Sequence, residues 1–343
     1  MGIYQRNGYV DIRKILSYGM TYNAIVGGRG TGKTFTSLET VIEDGKKFIY
    51  MRRTQSQCDM INKPEFSPFK SLNILLGWNI GTATISKYNS GFYRMEETDD
   101  GKIVPSGPAL GYTCALSTVS NIRGFDTSDV EIIIYDEFIP ERHERLIKDE
   151  AAAFFNAYET INRNRELSGR DPVKVLLMSN ANDMANPLFL EMRLVRRAEI
   201  LRRKGQEIDI DHKRGVGLFL LNGSPISELK AETALYKLTA GTEFAAMSIE
   251  NDFADDNGEY KSMPIGELRP IVAIGEICIY AHKSKPLYYV STHIVGSPPR
   301  YSTSDTDRKR FFRAYNWIWS EYMSNRIIFE EYLCEALLTK AFA

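Results

Sequence analysis

The chain has 343 residues, of which 43% are hydrophobic and 25% charged, which is typical of a soluble globular protein with room for two domains. Its formal net charge of −1 excludes a global attraction to nucleic acid, so any contact with DNA has to come from local basic patches. The four cysteines form no C-x-x-C pair and no apolar run approaches the roughly 20 residues of a membrane span, so we expect reduced thiols, no zinc site and no membrane segment.

The first strong signal is a phosphate-binding loop. A short helical entry at 1–21 and a first strand at 22–26 precede it, and a helix follows. Its residues fit G-x-x-x-x-G-K-[ST], in which glycines let backbone N–H groups surround a triphosphate. Lys33 is expected on the β- and γ-phosphates, and the Thr34 hydroxyl on Mg²⁺. The predicted nucleotide-binding residues are Gly27, Gly28, Arg29, Gly30, Thr31, Gly32, Lys33 and Thr34.

A second strand is predicted at 47–51 and runs into Arg52 and Arg53. Two arginines at the carboxyl end of a strand lie at the ligand-binding edge of a parallel sheet. They are either a solvated strand end or cations that face phosphate or DNA. The proline-broken segment 54–110 is interpreted as an insertion on the core sheet, with a hairpin between Ile85 and Met95.

The second strong signal is the apolar run at 131–138, which contains three consecutive isoleucines and follows a third strand at 112–116. Such a run suits a strand buried on both faces of a parallel sheet. Two acids follow at its end, as in a Walker B motif. We expect Asp136 to hold the water shell of Mg²⁺ and Glu137 to polarise the attacking water.

The helix predicted at 149–166 ends in a run with two arginines. Arg163 either complements the helix dipole or is an arginine finger that neutralises γ-phosphate charge in the transition state. A further buried strand at 173–178 is followed by Ser179 and Asn180, small polar residues where a γ-phosphate sensor would lie.

The rest of the chain gives weaker signals. An arginine-rich helix at 188–204 is either a solvated face or a patch for nucleic acid or a neighbouring subunit. A core strand is predicted at 217–221, adjacent strands at 271–280 and 287–295, and helices at 308–324 and 328–338. The acids of this last region do not all fall at strand ends, so a two-metal nuclease site is not supported.

With these motifs the chain resembles the genome-packaging ATPases of small tailed bacteriophages, of the Picovirinae or Salasmaviridae type, which are related to terminase large subunits. The resemblance covers most of the chain. It rests on the loop at 27–34, the strand at 48–53, the acids at 136–139, and the stretches 162–166, 179–181, 241–244 and 247–248.

The resemblance implies an α/β chain with an additional-strand, catalytic-glutamate P-loop ATPase domain at 1–222. A linker or lid subdomain would follow at 223–248 and a vestigial RNase H-like domain at 249–343. It favours Arg163 as a finger acting on the neighbour's ATP, and places Arg123 near a phosphate.

The resemblance also implies a function: ATP-driven translocation of double-stranded DNA into a capsid. ATP and Mg²⁺ would be needed, and a homopentameric ring would work at the capsid portal in the host cytoplasm. Whether a structural RNA joins the ring stays open. Two alternatives remain, a terminase-type packaging ATPase with an active nuclease domain and a non-motor P-loop kinase or regulatory module.

Overall fold

The computed structural model describes residues 2–122, 126–141, 144, 147–222, 224–226, 230, 232–239, 241–242 and 260–342. The chain divides into two compact units, Met1–Met192 with Ile200–Ala254 and Arg193–Glu199 with Asp255–Ala343. No helix of the described part combines the length and apolarity that crossing a membrane requires.

The first unit is built on a nine-stranded sheet. Its strand order is β3-β4-β5-β2-β6-β7-β1-β9-β8. The strands are β1 (Tyr22–Gly27), β2 (Phe48–Arg52), β3 (Ile80–Thr84), β4 (Ser90–Glu97), β5 (Ile103–Ala115), β6 (Ile132–Asp136), β7 (Lys174–Ser179), β8 (Ile208–Asp211) and β9 (Val216–Leu221).

The centre of this sheet is parallel and largely buried. Neighbouring strands from β5 through β2, β6, β7 and β1 to β9 pair in parallel, so their carboxyl ends share one edge. Every residue of β6 is buried, as its isoleucine run predicts. The strand β7 lies between β1 and β6.

The segment interpreted as an insertion on the core sheet holds two helices and strands that extend this sheet at one end. The hairpin of β3 and β4 extends the sheet antiparallel to β5, and it spans Ile80 to Glu97 rather than Ile85 to Met95. Pro105 and Pro108 lie inside β5, in its exposed first half, so the prolines suggested a break that the chain does not make.

Helices cover this sheet. The arginine-rich stretch 188–204 is not one helix, because Arg193 adopts a φ of 55° between two shorter helices. The helices up to Thr242 are α1 (Ile12–Leu16), α2 (Lys33–Glu43), α3 (Gln55–Ile61), α4 (Lys70–Leu76), α5 (Glu150–Asn162), α6 (Pro187–Glu191), α7 (Val195–Arg203) and α8 (Ala234–Leu238).

The second unit has a five-stranded sheet of order β13-β10-β11-β12-β14. The stretch 271–280, predicted as one strand, is two strands joined at Gly275, whose φ of 54° suits a tight turn. The helix predicted at 308–324 is likewise divided in two. The elements are β10 (Leu268–Ile274), β11 (Ile277–His282), β12 (Tyr288–Ser291), β13 (Arg300–Tyr301), α9 (Asp305–Tyr315), α10 (Trp317–Met323), β14 (Ile327–Phe329) and α11 (Tyr332–Phe342).

A buried ion pair joins the end of β2 to the start of α5. Arg53 is 1% exposed, and its Nε and Nη2 donate to the two carboxylate oxygens of Glu150 at 2.8 and 3.1 Å. Its Nη1 donates to Glu144 at 3.0 Å, and the Tyr135 hydroxyl donates to Glu150 at 3.3 Å. A solvated strand end is therefore wrong for Arg53, which instead fixes the position at which α5 begins.

Replacing Arg53 with methionine should lower the free energy of unfolding by about 3–5 kcal/mol, because Glu150 would keep a buried charge without its cation. The loss of unfolding free energy is measured by urea denaturation, with the unfolded fraction monitored by circular dichroism. The double variant Arg53→Met, Glu150→Met is the matched control and should recover much of it. A single variant within 1 kcal/mol of the parent would contradict the prediction.

Candidate nucleotide-binding site

A cavity of about 550 Å³ opens at the edge of the first sheet where the parallel strands end. It brings together the P-loop after β1, the acids after β6 and the polar residues after β7. Its lining residues are Tyr9, Arg29, Gly30, Thr31, Gly32, Lys33, Thr34, Phe35, Ser71, Leu75, Asp136, Glu137, Glu141, Ser179 and Asn180.

The P-loop curls tightly between β1 and α2. Gly30 and Gly32 have φ values of 77° and 81°, in the left-handed region that side chains disfavour. A Cβ on Gly32 would also lie 2.5 Å from Cγ of Tyr9, so this position requires glycine for space as well. The helix α2 begins at Lys33, which directs its N-terminal dipole toward the loop and favours an anion there.

Lys33 lies at the bottom of this loop and is 8% exposed. Its ammonium donates to the carbonyl oxygens of Gly27 and Gly28 at 2.9 and 2.8 Å, and it lies 3.4 Å from Oδ1 of Asn180. The pKa of Lys33 is lowered to about 8, mainly by burial; Asp136 and Glu137 oppose this shift, and Lys230 and Arg29 add to it. An added phosphate would stabilise the charged form, so the position favours an anionic ligand.

Asp136 is 5% exposed at the end of β6 and accepts two hydrogen bonds on one carboxylate oxygen. The Thr34 hydroxyl donates at 2.8 Å and the Tyr50 hydroxyl at 2.6 Å. The hydroxyl of Thr34 and the carboxylate of Asp136 are hard oxygen ligands, the kind that Mg²⁺ takes from proteins, so the pair fits this ion. Tyr50, in the middle of β2, was missed by the sequence analysis.

Glu137 follows directly and has a strained backbone with a φ of 56°. A non-glycine residue in this region costs of order 1–3 kcal/mol, and such strain clusters at functional sites. Arg52, only 13% exposed, forms ion pairs with Glu137 and, at 3.6 Å, with Asp136. Burial lowers the pKa of Arg52, but Tyr50 and the two acids raise it more, so it stays charged. A solvated strand end is thus wrong for Arg52 too.

The predicted sensor residues contact both halves of the site. Ser179 exchanges hydrogen bonds with the backbone of Ile139, at 3.3 Å to its N–H and 3.4 Å to its carbonyl. Asn180 reaches Lys33 as described above. The end of β7 therefore holds the segment after Glu137 and the P-loop lysine at once.

Arg163 lies at the opposite edge of the sheet. It ends α5, which has 13 residues and is therefore about 20 Å long from its start beside Arg53. Next to it, Asn162 accepts from the N–H of Val173, just before β7 begins. The side chain of Arg163 is 46% exposed and forms an ion pair with Asp126 at 3.5 Å. It is not among the residues that line the cavity of its own chain.

The structure adds residues that the sequence did not point to. Tyr9, from the entry segment, and Phe35 form an aromatic pair with ring centroids 5.8 Å apart at the cavity wall. Glu141 pairs with Arg29 across the mouth. Lys230 donates to the carbonyl of Arg29. Arg123 lies outside the described residues, as does part of the segment predicted as a lid.

A family model described as the podovirus DNA encapsidation protein (Gp16) matches residues 100–273, just over half of the chain. This stretch runs from β5 through the acids after β6 and the arginines after α5 into the second unit. The chain belongs to the podovirus DNA encapsidation protein family. Among curated relatives, the DNA packaging protein of Bacillus phage phi29 is 27% identical over 254 residues, which cover 73% of this chain and 67% of the relative. That of Bacillus phage B103 is 27% identical over 248 residues, 71% of this chain and 67% of the relative.

Solved structures show the same fold for this encapsidation protein. The phi-29 viral genome packaging motor assembly has a chain with a TM-score of 0.64 and 21% identity, covering 99% of both chains. The phi-28 gp11 DNA packaging motor has a TM-score of 0.63 and 19% identity, covering 96% of this chain and 95% of the other. At these identities the likeness establishes the fold, and the roles of individual residues have to be argued from the site.

Proposed function

We propose that this encapsidation protein is the ATPase of a packaging motor that drives double-stranded viral DNA into a preformed capsid. One observation carries the proposal: a buried lysine inside a glycine loop lies next to a hydroxyl–carboxylate pair and an acid with a strained backbone. Together these groups supply what phosphoryl transfer to water needs, a phosphate cradle, a metal position and a base.

Each residue has a separate task in ATP hydrolysis. The loop amides and Lys33 bind the β- and γ-phosphates, and the helix dipole of α2 adds positive potential. Glu137 accepts a proton from the attacking water. Asn180 senses the γ-phosphate through its contact with Lys33. Ser179, which is hydrogen-bonded to the backbone of Ile139, couples the end of β7 to the segment after Glu137. Thr34 and Asp136 would hold Mg²⁺, which supplies charge neutralisation at the phosphates when bound.

Arg163 acts on the ATP of a neighbouring subunit. Its location at the edge of the sheet opposite the cavity supports this role, since it cannot reach phosphates bound within its own chain. The site is then completed at an interface between two copies, and a closed ring satisfies every site. We propose a homopentamer at the capsid portal in the host cytoplasm. Arg123, near a phosphate, remains part of the proposal, whereas the DNA-binding residues and a packaging RNA are left open.

The proposed domains are the ATPase core at 1–222, a lid at 223–248 and a vestigial RNase H-like domain at 249–343. In the last, β10, β11 and β12 form an antiparallel meander and β13 pairs in parallel with β10, which supports an RNase H-like start. The first strand β10 carries no acid, and no metal-binding cluster of three acids, histidines or cysteines occurs within the described ranges. These features favour a non-cutting domain over the terminase nuclease alternative.

Replacing Lys33 with alanine tests the proposal, because it removes the cation from the cradle while the loop glycines remain. We expect ATP hydrolysis to fall by at least about 10³-fold and packaging of DNA into capsids to cease. Nucleotide binding by calorimetry and DNA protection from nuclease in a packaging assay are the measurements. The matched control is Lys230→Ala, which changes a lysine beside the same loop and should leave most of the turnover.

Normal capsid filling by the Lys33→Ala protein would overturn the motor proposal. A stand-alone P-loop kinase or regulatory module predicts instead an ATP turnover that is indifferent to DNA, to capsids and to protein concentration. Plasmid cutting in Mn²⁺, abolished by acid substitutions in 250–343, would favour the terminase-type alternative.

A further inference from the structure

An exposed apolar surface borders the mouth of the nucleotide cavity. Ile74 and Leu75, on α4, are 75% and 68% exposed, and Phe66 and Leu76 beside them are 57% and 39% exposed. Leu75 itself lines the cavity. We call these four residues the apolar rim. Several large exposed apolar side chains within one short helix and the turn before it are typical of an interaction surface on a globular protein.

A second exposed apolar residue lies at the opposite edge of the sheet, beside Arg163. Leu167 is 87% exposed in a short 3-10 helix, Arg165–Ser168, that follows α5 directly. This 3-10 helix is held in place, because Arg165 is buried and its guanidinium donates to the carbonyls of Thr127 and Ser128 at 3.2 Å. The turn therefore presents Arg163 and Leu167 as one rigid edge.

We propose that the apolar rim of one subunit is the docking surface for Leu167 of the next copy of this chain. The inference rests on the proposed function, in which Arg163 enters a neighbour's cavity. Four residues span at most about 15 Å, so an Arg163 at the phosphates carries its own Leu167 to the mouth of that cavity. Leu75 is already at that mouth.

The charge of Arg163 favours a second copy as the occupant. Glu137 and Glu141, at the cavity mouth, are paired with Arg52 and Arg29, so the unbalanced negative charge there would come from a bound triphosphate. The incoming edge carries Arg163 and the exposed Arg170 together with the exposed acids Asp126 and Glu166, and Arg163 is the group that would meet the triphosphate. The Arg163–Asp126 pair is solvent-exposed, and such a pair contributes little free energy, so exchanging this contact on docking costs little.

The two surfaces differ and lie on opposite edges, so the contact is head-to-tail rather than two-fold. Repeating it joins each rim to the next edge, which generates a ring when the rotation closes. The apolar rim thus positions the arginine by burying Leu167 beside it. A free subunit would keep both surfaces in water.

Engineered cysteines test this contact in the full chain, because all four native cysteines are buried. Leu75→Cys and Leu167→Cys are made as separate proteins of different tag length and mixed with double-stranded DNA and a non-hydrolysable ATP analogue. A short bis-maleimide then links them. We expect the mixture to give roughly tenfold more cross-linked dimer than either protein gives alone. The matched control is Ile103→Cys, an exposed apolar residue outside both surfaces, mixed with Leu167→Cys.

Three results overturn the contact: a product equally strong with Ile103→Cys, dimers of each single variant with itself, or no heterodimer at the concentration where ATP turnover per subunit is maximal. If turnover still depends on Lys33 and DNA in that last case, the proposed function stands and the contact is wrong. A heterodimer together with full turnover by Arg163→Ala would keep the contact and remove the trans-acting arginine.

Discussion

Replacing Glu137 with glutamine should lower the turnover number for ATP by about 10²–10⁴-fold, because the variant keeps the shape of the side chain but cannot accept a proton from water. Affinity for ATP should stay within a few fold, since Lys33 and the loop amides are unchanged. Single-turnover hydrolysis and equilibrium binding separate these two quantities. Glu141→Gln is the matched control, because Glu141 lines the same cavity but pairs with Arg29 instead of adjoining Asp136.

The strained backbone at this position gives a second readout. Alanine is normally more stable than glycine, but at a φ of 56° we expect Glu137→Gly to be at least as stable as Glu137→Ala. Both variants lose the ion pair to Arg52, so the comparison isolates the backbone. Thermal unfolding measures it. A glycine variant less stable by about 1 kcal/mol would mean that the left-handed conformation is absent in solution.

Replacing Arg163 with alanine should lower turnover by about 10³–10⁵-fold in the assembled protein, the range for loss of an arginine finger. Folding should be unaffected, since the side chain is half-exposed and its ion pair with Asp126 is at the surface. The steady-state rate is measured with DNA at increasing protein concentration. Unchanged turnover at every concentration would remove the finger.

Mixing variants decides whether the arginine acts between subunits. In an equal mixture of Arg163→Ala and Glu137→Gln proteins, half the sites keep the glutamate and half of those face an intact arginine, so up to about a quarter of the activity should return. A mixture of Lys33→Ala with Glu137→Gln is the control. No site in it is complete, because both groups belong to the same chain, and it should stay inactive.

Most of the predicted residues that line the cavity could be chosen from the sequence because they are local in the chain. Glycines that need left-handed φ, a lysine at the start of a helix and two acids after a buried strand are neighbours in sequence, so spacing alone indicated a P-loop and a Walker B motif. The central strands were predicted for a similar reason, since an isoleucine run buried on both faces leaves little alternative. The predicted element boundaries were wrong where two elements of the same type follow each other closely, because one continuous strand or helix was predicted across Gly275 and across Arg193.

Only the tertiary structure decided which distant residues meet. The hydroxyl of Tyr50 on Asp136, the ion pair of Arg52 with Glu137 and the buried clamp from Arg53 to Glu150 join residues about 85 to 100 positions apart. No periodicity encodes such contacts, because they follow from the order in which strands are placed in the sheet. The same placement puts Arg163 at the edge opposite the cavity, a location that its place near a helix end in the sequence does not reveal. The sequence by itself indicated a phosphate-binding loop, because the residues of the motif are neighbours in the chain. The sheet order separated Arg163 from that loop, because α5 spans the sheet between them, and this separation is the reason for proposing that the arginine serves another copy.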